Sequence, residues 1–437
     1  MRPVMRIISA LALPAIAAAQ IFAFADPLPS GSQSLSIRWK NQLIKIAISS
    51  SVTSQNSNIK LGTDVKDVIR RSLAAWENVS TIRFVETPSE RQSVSAAGAS
   101  GDGVSLITIA QTPENLALFQ GDWQSASART RVFYNRRHEI TEADIVLNPY
   151  VQFSDDGTFG TFDLQSTLTH EIGHLLGLEH SFSFGSAMYA SFGRNGIFGL
   201  QSRRIRNLAP EDISALNALY GAEADDDSCC GSISGKLNVT GKPAADFQVW
   251  AESQETGAVV NTEIAARNGA YKLDGLPAGG LRIYAQERAS KTAAAFKIGD
   301  VLVEKGKASL LNATLSGGRS DLDLRYLGIN SQLADAAIPV NAGRTYIIYL
   351  GGANLNAAKT TIGTNSPLIA VNGESLTNVE FSDKVSAIRA EITIDPRTPP
   401  GDYSIFVETN GNARYIVGGI SVQTFVDPWD FSSLVNH

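Results

Sequence analysis

Apolar residues recur with two different periods in the first half of the chain, which predicts a domain that mixes strands and helices. Between positions 39 and 48 they tend to alternate with polar residues, as in a half-buried strand. A second set recurs at helical spacing and predicts an amphipathic helix that begins near position 63 or 64 and ends near position 78. The members of this set are Val65, Val68, Ile69, Leu73 and Trp76. Short β-rich runs separated by Gly, Ser and Asn predict four more strands, at 82–85, 104–110, 129–134 and 143–148.

The second half of the chain has a different pattern, with short strands and turns and no long helix. This pattern is typical of β-sandwiches. An acidic run at 223–227 interrupts the apolar periodicity and predicts an interdomain linker over 222–230. With 437 residues the chain is too long for one core, and we expect two or three domains. The predicted architecture is an α+β domain that ends at 221, followed by β domains at 231–317 and 318–437.

The N-terminus predicts export from the cell. Arg2 and Arg6 precede an apolar run from 7 to 25 that ends in Ala-Phe-Ala, as in a cleaved signal peptide. We therefore expect a signal peptide over 1–25 and a secreted mature chain beginning at Asp26, with a membrane anchor as the alternative. No later stretch is long enough to span a bilayer, so an integral membrane protein is not expected. A net charge of −6 without a basic cluster argues against nucleic acid as a partner.

The adjacent cysteines and the acidic run before them each allow more than one interpretation. Cys229 and Cys230 are the only cysteines and are adjacent, so neither can bridge distant parts of this chain. A vicinal disulfide, two free thiols and a link between two molecules remain alternatives. The aspartates of the run 223–227 are candidate calcium ligands, but like charges in sequence usually repel and extend. A solvated linker is the favoured interpretation.

Three of the five histidines lie within the sequence HEIGHLLGLEH at 170–180. His170 and His174 are one helical turn apart, so both imidazoles can reach one metal ion. Gly177 can adopt a positive φ, which would end the helix and let His180 approach the same ion from another side. Three protein nitrogens around a tetrahedral ion leave one position for water, which is typical of a catalytic zinc. The spacing predicts one such zinc.

Glu171 directly follows the first histidine and lies about 100° around the helix from it. Its carboxylate would lie beside the ligand face, where it can reach a metal-bound water without being a ligand. A carboxylate in that position can act as a general base. Ligands and base together indicate a zinc hydrolase.

The extended motif resembles that of the metzincin metalloproteases, and Ser181 after the third histidine is similar to the matrixin branch, here of bacterial type. The sequence SAMY at 186–189 is similar to the matrixin Met-turn, and 208–221 resembles the C-terminal matrixin helix. The resemblance implies a metzincin domain over 26–221, with a twisted mixed sheet and an active-site helix capped by Asp163. It also implies that Met188 lies under the zinc, that 129–134 is the edge strand for an extended substrate, and that 191–207 walls the specificity pocket.

One departure from the family concerns histidine. His138 is the only other histidine of this domain, whereas animal matrixins hold a second, structural zinc with histidines before the active-site helix. A second zinc is therefore not expected, and His138 is predicted to be exposed in a turn.

Two later segments carry weaker resemblances. The sequences GSISGKL at 231–237 and NGAYKLDGLPAG at 268–279 resemble the carboxypeptidase regulatory-like β-sandwich. The sequences YIIYLGGANL at 346–355 and TPPGDYSIFV at 398–407 are similar to bacterial immunoglobulin-like modules. Neither contains a catalytic constellation. We expect spacing, docking or adhesion roles, with protein, glycan or a cell surface as candidate partners.

The predicted function is a secreted zinc endopeptidase that cleaves extracellular proteins or peptides. The alternative is a catalytically silent cell-surface adhesin with a protease-like domain. Glu171 favours the enzyme, because a decayed site is free to lose its base. Hydrolysis of a non-peptide amide shares the metal chemistry, and only the matrixin resemblance disfavours it.

Overall fold

The computed structural model describes residues 20–22, 36–96, 101–121, 123, 126–190, 193–195, 205–222, 229–288, 294–316, 322–329, 333–382 and 385–423. The three largest hydrophobic cores divide this part of the chain into an N-terminal domain up to 222, a middle domain from 229 to 316 and a C-terminal domain from 322. The acidic run 223–227, with its candidate calcium ligands, lies outside the described residues. So does the predicted signal peptide, except for 20–22.

The N-terminal domain is built on a seven-stranded mixed sheet. The strands of the domain are β1 (Gln20–Phe22), β2 (Arg38–Trp39), β3 (Leu43–Ser49), β4 (Arg83–Ser89), β5 (Ser105–Thr108), β6 (Ala128–Tyr134), β7 (Glu139–Leu147), β8 (Phe153–Ser154) and β9 (Phe162–Asp163). Strands β3, β4, β5 and β7 pair in parallel, whereas β6 pairs antiparallel with β7 on one side and with β1 on the other. A short parallel pair, β8 and β9, precedes the helix that carries the first two histidines.

Two long helices pack against each other beside this sheet. The helices of the domain are α1 (Ser50–Thr53), α2 (Val65–Glu77), α3 (Pro113–Leu116) with the 3₁₀ turn Ala117–Phe119, α4 (Leu164–Leu175) and α5 (Pro210–Tyr220). Asp64 caps α2 by accepting a hydrogen bond from the Asp67 amide (3.1 Å), and the predicted apolar stripe is buried except at Val65. Trp76 on this stripe donates its indole N–H to the Thr169 carbonyl on α4 (2.9 Å). Helix α2 therefore fixes the position of α4.

The middle and C-terminal domains each consist of two sheets that enclose one core. No helix occurs among the residues described from 229 onward. The strands of the middle domain are β10 (Cys229–Val239), β11 (Lys242–Pro243), β12 (Phe247–Ser253), β13 (Val259–Ile264), β14 (Ala270–Pro277), β15 (Gly279–Glu287), β16 (Ala295–Val303), β17 (Ala308–Leu310) and β18 (Ala313–Leu315). Those of the C-terminal domain are β19 (Asp323–Ile329), β20 (Ile338–Asn341), β21 (Thr345–Ala353), β22 (Thr361–Thr364), β23 (Ile369–Ser382), β24 (Val385–Ile394), β25 (Gly401–Thr409) and β26 (Asn412–Gln423).

The two β domains pack on each other through an aromatic cluster. Trp250 and Tyr284 of the middle domain stack with ring centroids 5.4 Å apart, and Tyr415 of the C-terminal domain lies 5.3 Å from Trp250. The buried Glu252 carboxylate accepts hydrogen bonds from the Trp250 indole (2.9 Å) and from the Asn365 amide of the C-terminal domain (2.7 Å). Aromatic packing and a satisfied buried carboxylate thus join the two domains.

The cysteine pair differs from the sequence-based expectation in its location. Cys229 and Cys230, assigned above to the linker, are the first residues of β10 and form a disulfide with each other. Cys229 is buried, and its backbone pairs with Pro277 of β14. The middle domain therefore begins two residues earlier than its apolar pattern indicated. Among the described residues, no helix is long and apolar enough to cross a membrane.

Candidate metal centre

Helix α4 places the first two histidines on the inner side of the domain. The Asp163 side chain caps the helix by accepting a hydrogen bond from the Ser166 amide (2.9 Å), as predicted. Every residue of the helix is buried, because α2 covers one face and the sheet another. His170 and His174 lie one turn apart, and their ring centroids are 4.6 Å from each other.

Gly177 turns the chain toward the third histidine. It adopts φ +93°, and a Cβ added there would lie 2.3 Å from the Ile37 carbonyl oxygen. Only glycine satisfies both conditions, since the conformation is left-handed and the space is closed. The Leu178 amide then donates to the Gly173 carbonyl (3.0 Å), and the chain reverses so that His180 faces α4.

The three histidines converge on a common centre. The Nε2 atom of His174 lies 3.0 Å from that of His170 and 3.1 Å from that of His180. Three nitrogens about 2.0–2.1 Å from a tetrahedral zinc would be about 3.4 Å apart, so the observed spacing needs little adjustment. Among the described residues this is the only group of three His, Cys, Asp or Glu side chains close enough to share a metal ion.

The hydrogen bonds of His170 and His174 leave the Nε2 atom of each ring available as a metal ligand. His170 Nδ1 lies 2.8 Å from the Ala187 carbonyl and His174 Nδ1 lies 2.8 Å from the Leu178 carbonyl. A carbonyl can only accept, so each Nδ1 carries the proton and each Nε2 presents a lone pair. Burial lowers the pKa of His174 to about 4, and burial also lowers the pKa of His180. Neutral imidazoles at neutral pH are the form that binds zinc.

Glu171 lies beside the histidines, and a hydrogen bond from the sheet fixes its carboxylate. Its Oε2 atom accepts a hydrogen bond from Thr130 Oγ1 of β6 (2.5 Å). Burial raises the pKa of Glu171 to about 7, while the Thr130 hydroxyl and the positive charge of Arg129 act in the opposite direction. A carboxyl group that titrates near neutrality can both accept and return a proton.

Met188 packs under the helix that carries the histidines. A Cβ added to Gly173 would lie 2.2 Å from the Met188 sulfur, so the methionine side chain contacts the helix backbone directly. Asp212 of α5 fixes the turn before it, accepting hydrogen bonds from Ser186 Oγ (2.5 Å) and from the Ala187 amide (2.9 Å). Because the Ala187 carbonyl also accepts a hydrogen bond from His170 Nδ1, the turn and the first histidine are positioned together.

Three further predicted features belong to this domain: the edge strand, His138 and the loop 191–207. Strand β6 has only β1 on its outer side, paired with Arg131–Phe133, so it lies next to the edge of the sheet. His138 is exposed in the β6–β7 turn, as predicted. The loop 191–207 lies mostly outside the described residues.

Several contributors to this site were not identified from the sequence. Thr130 and Arg129 were included only as part of a candidate edge strand, and Asp212 only as part of a helix motif. Side-chain alternation along β6 places Thr130 and Arg129 on opposite faces of the sheet. Nothing in the local sequence indicates that Thr130 contacts Glu171, 41 residues later.

In this domain a helix packed beside a mixed sheet brings two histidines together with a third. Such a set of three nitrogens fits a zinc site with one position left for water. The matrixin family model matches residues 38–221. The chain also matches metalloendoproteinase 1-MMP of Arabidopsis thaliana, at 28% identity over 195 residues, which are 42% of this chain and 44% of that protein. Serralysin of Photorhabdus laumondii is 30% identical over 183 residues, which are 36% of this chain and 33% of that protein.

Residues 38–221 therefore form a matrixin domain that carries a histidine triad able to hold a metal ion. The chain spans less than half the length of these two relatives. Both matches cover less than half of this chain.

Proposed function

We propose that this protein is a secreted zinc endopeptidase that cleaves extracellular proteins, with His170, His174 and His180 as zinc ligands and Glu171 as the general base. The observation that carries the proposal is the convergence of three Nε2 atoms beside a buried carboxylate. A silent adhesin would have no need of a base in this position.

The chemistry that zinc supplies when bound is Lewis acidity, which lowers the pKa of a coordinated water to about 7 and polarises a carbonyl. Glu171 then takes a proton from the attacking water at its carboxylate and returns it to the departing amine. Thr130 restricts the rotation of this carboxylate through its hydrogen bond, and the charge of Arg129 favours the ionised form that accepts the proton. The Nδ1 hydrogen bonds to Ala187 and Leu178 keep the imidazoles oriented.

An extended substrate would add to the outer side of β6. Thr130 lies in the middle of this strand, so a peptide paired there would pass beside Glu171. The residues that now cover β6 are 20–22, which belong to the proposed signal peptide. Their removal with the signal peptide would open this edge.

Export is the second part of the proposal, and it rests on Arg2 and Arg6 followed by the apolar run 7–25. We expect protein recovered from the culture medium to begin at Asp26 when its N-terminus is sequenced. Recovery of an uncleaved chain in the membrane fraction would favour an anchor instead.

The proposed β-sandwich types at 231–317 and 318–437 add candidate contacts with protein, glycan or a cell surface.

Metal removal tests the catalytic part directly. Casein cleavage by the purified mature chain should stop when a chelator removes zinc and should return when a stoichiometric amount of zinc is added back. The reason is that the remaining side chains cannot by themselves activate water at neutral pH. Full casein cleavage by a chain shown by elemental analysis to be free of metal would overturn the proposal.

A further inference from the structure

We propose that Thr262, on strand β13 of the middle domain, is a positioning residue for His180. It acts through Glu211 and the segment Ser181–Gly185, which joins the third histidine to the Met188 turn. The inference rests on the proposed function, because His180 matters as a zinc ligand. It gives the middle domain a direct part in building the metal centre, which neither docking nor adhesion would require.

One carboxylate oxygen connects the two domains. Glu211, in the first turn of α5, accepts at Oε1 a hydrogen bond from Ser181 Oγ (2.5 Å) and another from Thr262 Oγ1 (2.6 Å). Ser181 directly follows His180. The position of the residue after the third histidine is thus set by a carboxylate that is itself held from another domain.

Burial makes Glu211 depend on these two hydrogen bonds. Glu211 is 5% exposed, and burial raises the pKa of its carboxyl group to about 7. A buried carboxylate requires its hydrogen-bond donors, since each lost donor leaves an unsatisfied group at a substantial cost. Removing the Thr262 hydroxyl would leave Oε1 of Glu211 with the Ser181 hydroxyl and free the carboxylate to rotate, which would move Ser181.

The same segment is held at further points by both β domains. The Gln248 amide of the middle domain donates to the Phe182 carbonyl (3.2 Å), and the Arg288 guanidinium lies 4.2 Å from the Phe182 ring centroid. From the C-terminal domain, the Val417 carbonyl accepts a hydrogen bond from the Phe184 amide (3.0 Å). The segment therefore has anchors outside its own domain along its length.

Helix α5 also packs closely against the middle domain. Gly275, at the end of β14, packs so closely that an added Cβ would lie 2.0 Å from the Ser214 carbonyl oxygen. The backbone of α5 therefore lies directly against the middle domain. Glu211 consequently transmits the position of the middle domain to Ser181.

The test compares Thr262→Val, which keeps the shape and removes the hydroxyl, with Thr262→Ser, which keeps the hydroxyl. Both are made in the full-length mature chain. Thr314→Val, at an exposed position of β18, is the matched control. Three readouts are taken: zinc affinity by competition with a chelator, the visible absorption spectrum of the cobalt(II)-loaded protein, and kcat and KM for a peptide.

For Thr262→Val we expect about tenfold weaker zinc binding, at the lower end of the effect of outer partners of a metal ligand. We also expect an altered cobalt spectrum and a lower kcat with little change in KM. Thr262→Ser should match the wild type within about twofold, as should Thr314→Val.

Two results would overturn the inference. One is a wild-type zinc affinity and cobalt spectrum in Thr262→Val. The other is equal impairment in Thr262→Ser, which would show that the effect does not depend on the hydroxyl. If the wild-type chain binds zinc but cleaves no peptide, the proposed function fails, whereas the affinity and the spectrum still decide the role of Thr262.

Discussion

Replacing Glu171 with glutamine is expected to lower kcat for peptide cleavage by about 10²–10⁴-fold, the usual contribution of a general base. The amide keeps the size of the side chain and a hydrogen bond with Thr130, but it cannot accept a proton. Zinc content and KM should stay close to wild type, because Glu171 is not a ligand in the proposed mechanism. Steady-state kinetics together with elemental analysis measures both effects.

A matched control is Glu86→Gln. Glu86 lies on β4, at the opposite side of the sheet from β6, and pairs with Arg70 (2.6 Å). Its replacement should leave kcat within about twofold of wild type, since an exposed or half-exposed ion pair contributes little. Glu171→Gln activity equal to that of this control would remove Glu171 from the mechanism.

Replacing His174 with alanine is expected to abolish zinc binding at micromolar zinc and, with it, proteolysis. His174 is the central member of the cluster, since its Nε2 atom is close to both other Nε2 atoms. Losing a direct ligand should weaken zinc binding by more than about 100-fold, the upper end of the effect for outer partners. Chelator competition and elemental analysis measure the loss.

His138→Ala is the natural comparison for this variant. It removes an exposed histidine from the β6–β7 turn of the same domain. Its zinc stoichiometry should remain one per chain. A His174→Ala chain that retained zinc as firmly as His138→Ala would contradict the ligand assignment.

The N-terminal domain follows closely from the sequence because its decisive signals are local. The bounds of α2 and α5 agree with the apolar stripes and their caps at Asp64 and Gly221. The turn at Gly177 was likewise predictable, since the need for a positive φ is a property of one residue. The convergence of His170 and His174 needed only the helical repeat.

Contacts between distant segments could not be obtained in this way. Thr130 meets Glu171 only because β6 is next to α4 in the folded sheet, and Thr262 meets Glu211 only because a separate domain packs on α5. The periodicity of a strand tells which side chains share a face but not which neighbour covers that face. The inclusion of Cys229 and Cys230 in β10 also depends on pairing with β14, which no local pattern encodes.

The interdomain contacts change how the β domains should be regarded. Sequence alone suggested modules that act at a distance from the chemistry. Gln248 and Val417 instead contact the segment that follows the third histidine directly, and Thr262 contacts it through Glu211. A matrixin domain separated from these partners would have to hold that segment by its own contacts.

The most direct test of the account is a crystal structure of the mature chain grown with zinc, with anomalous data collected on both sides of the zinc absorption edge. We predict one strong anomalous peak in the N-terminal domain, about 2.0–2.1 Å from the Nε2 atoms of His170, His174 and His180. A zinc bound elsewhere, or three imidazoles turned away from a common centre in the presence of saturating zinc, would contradict it.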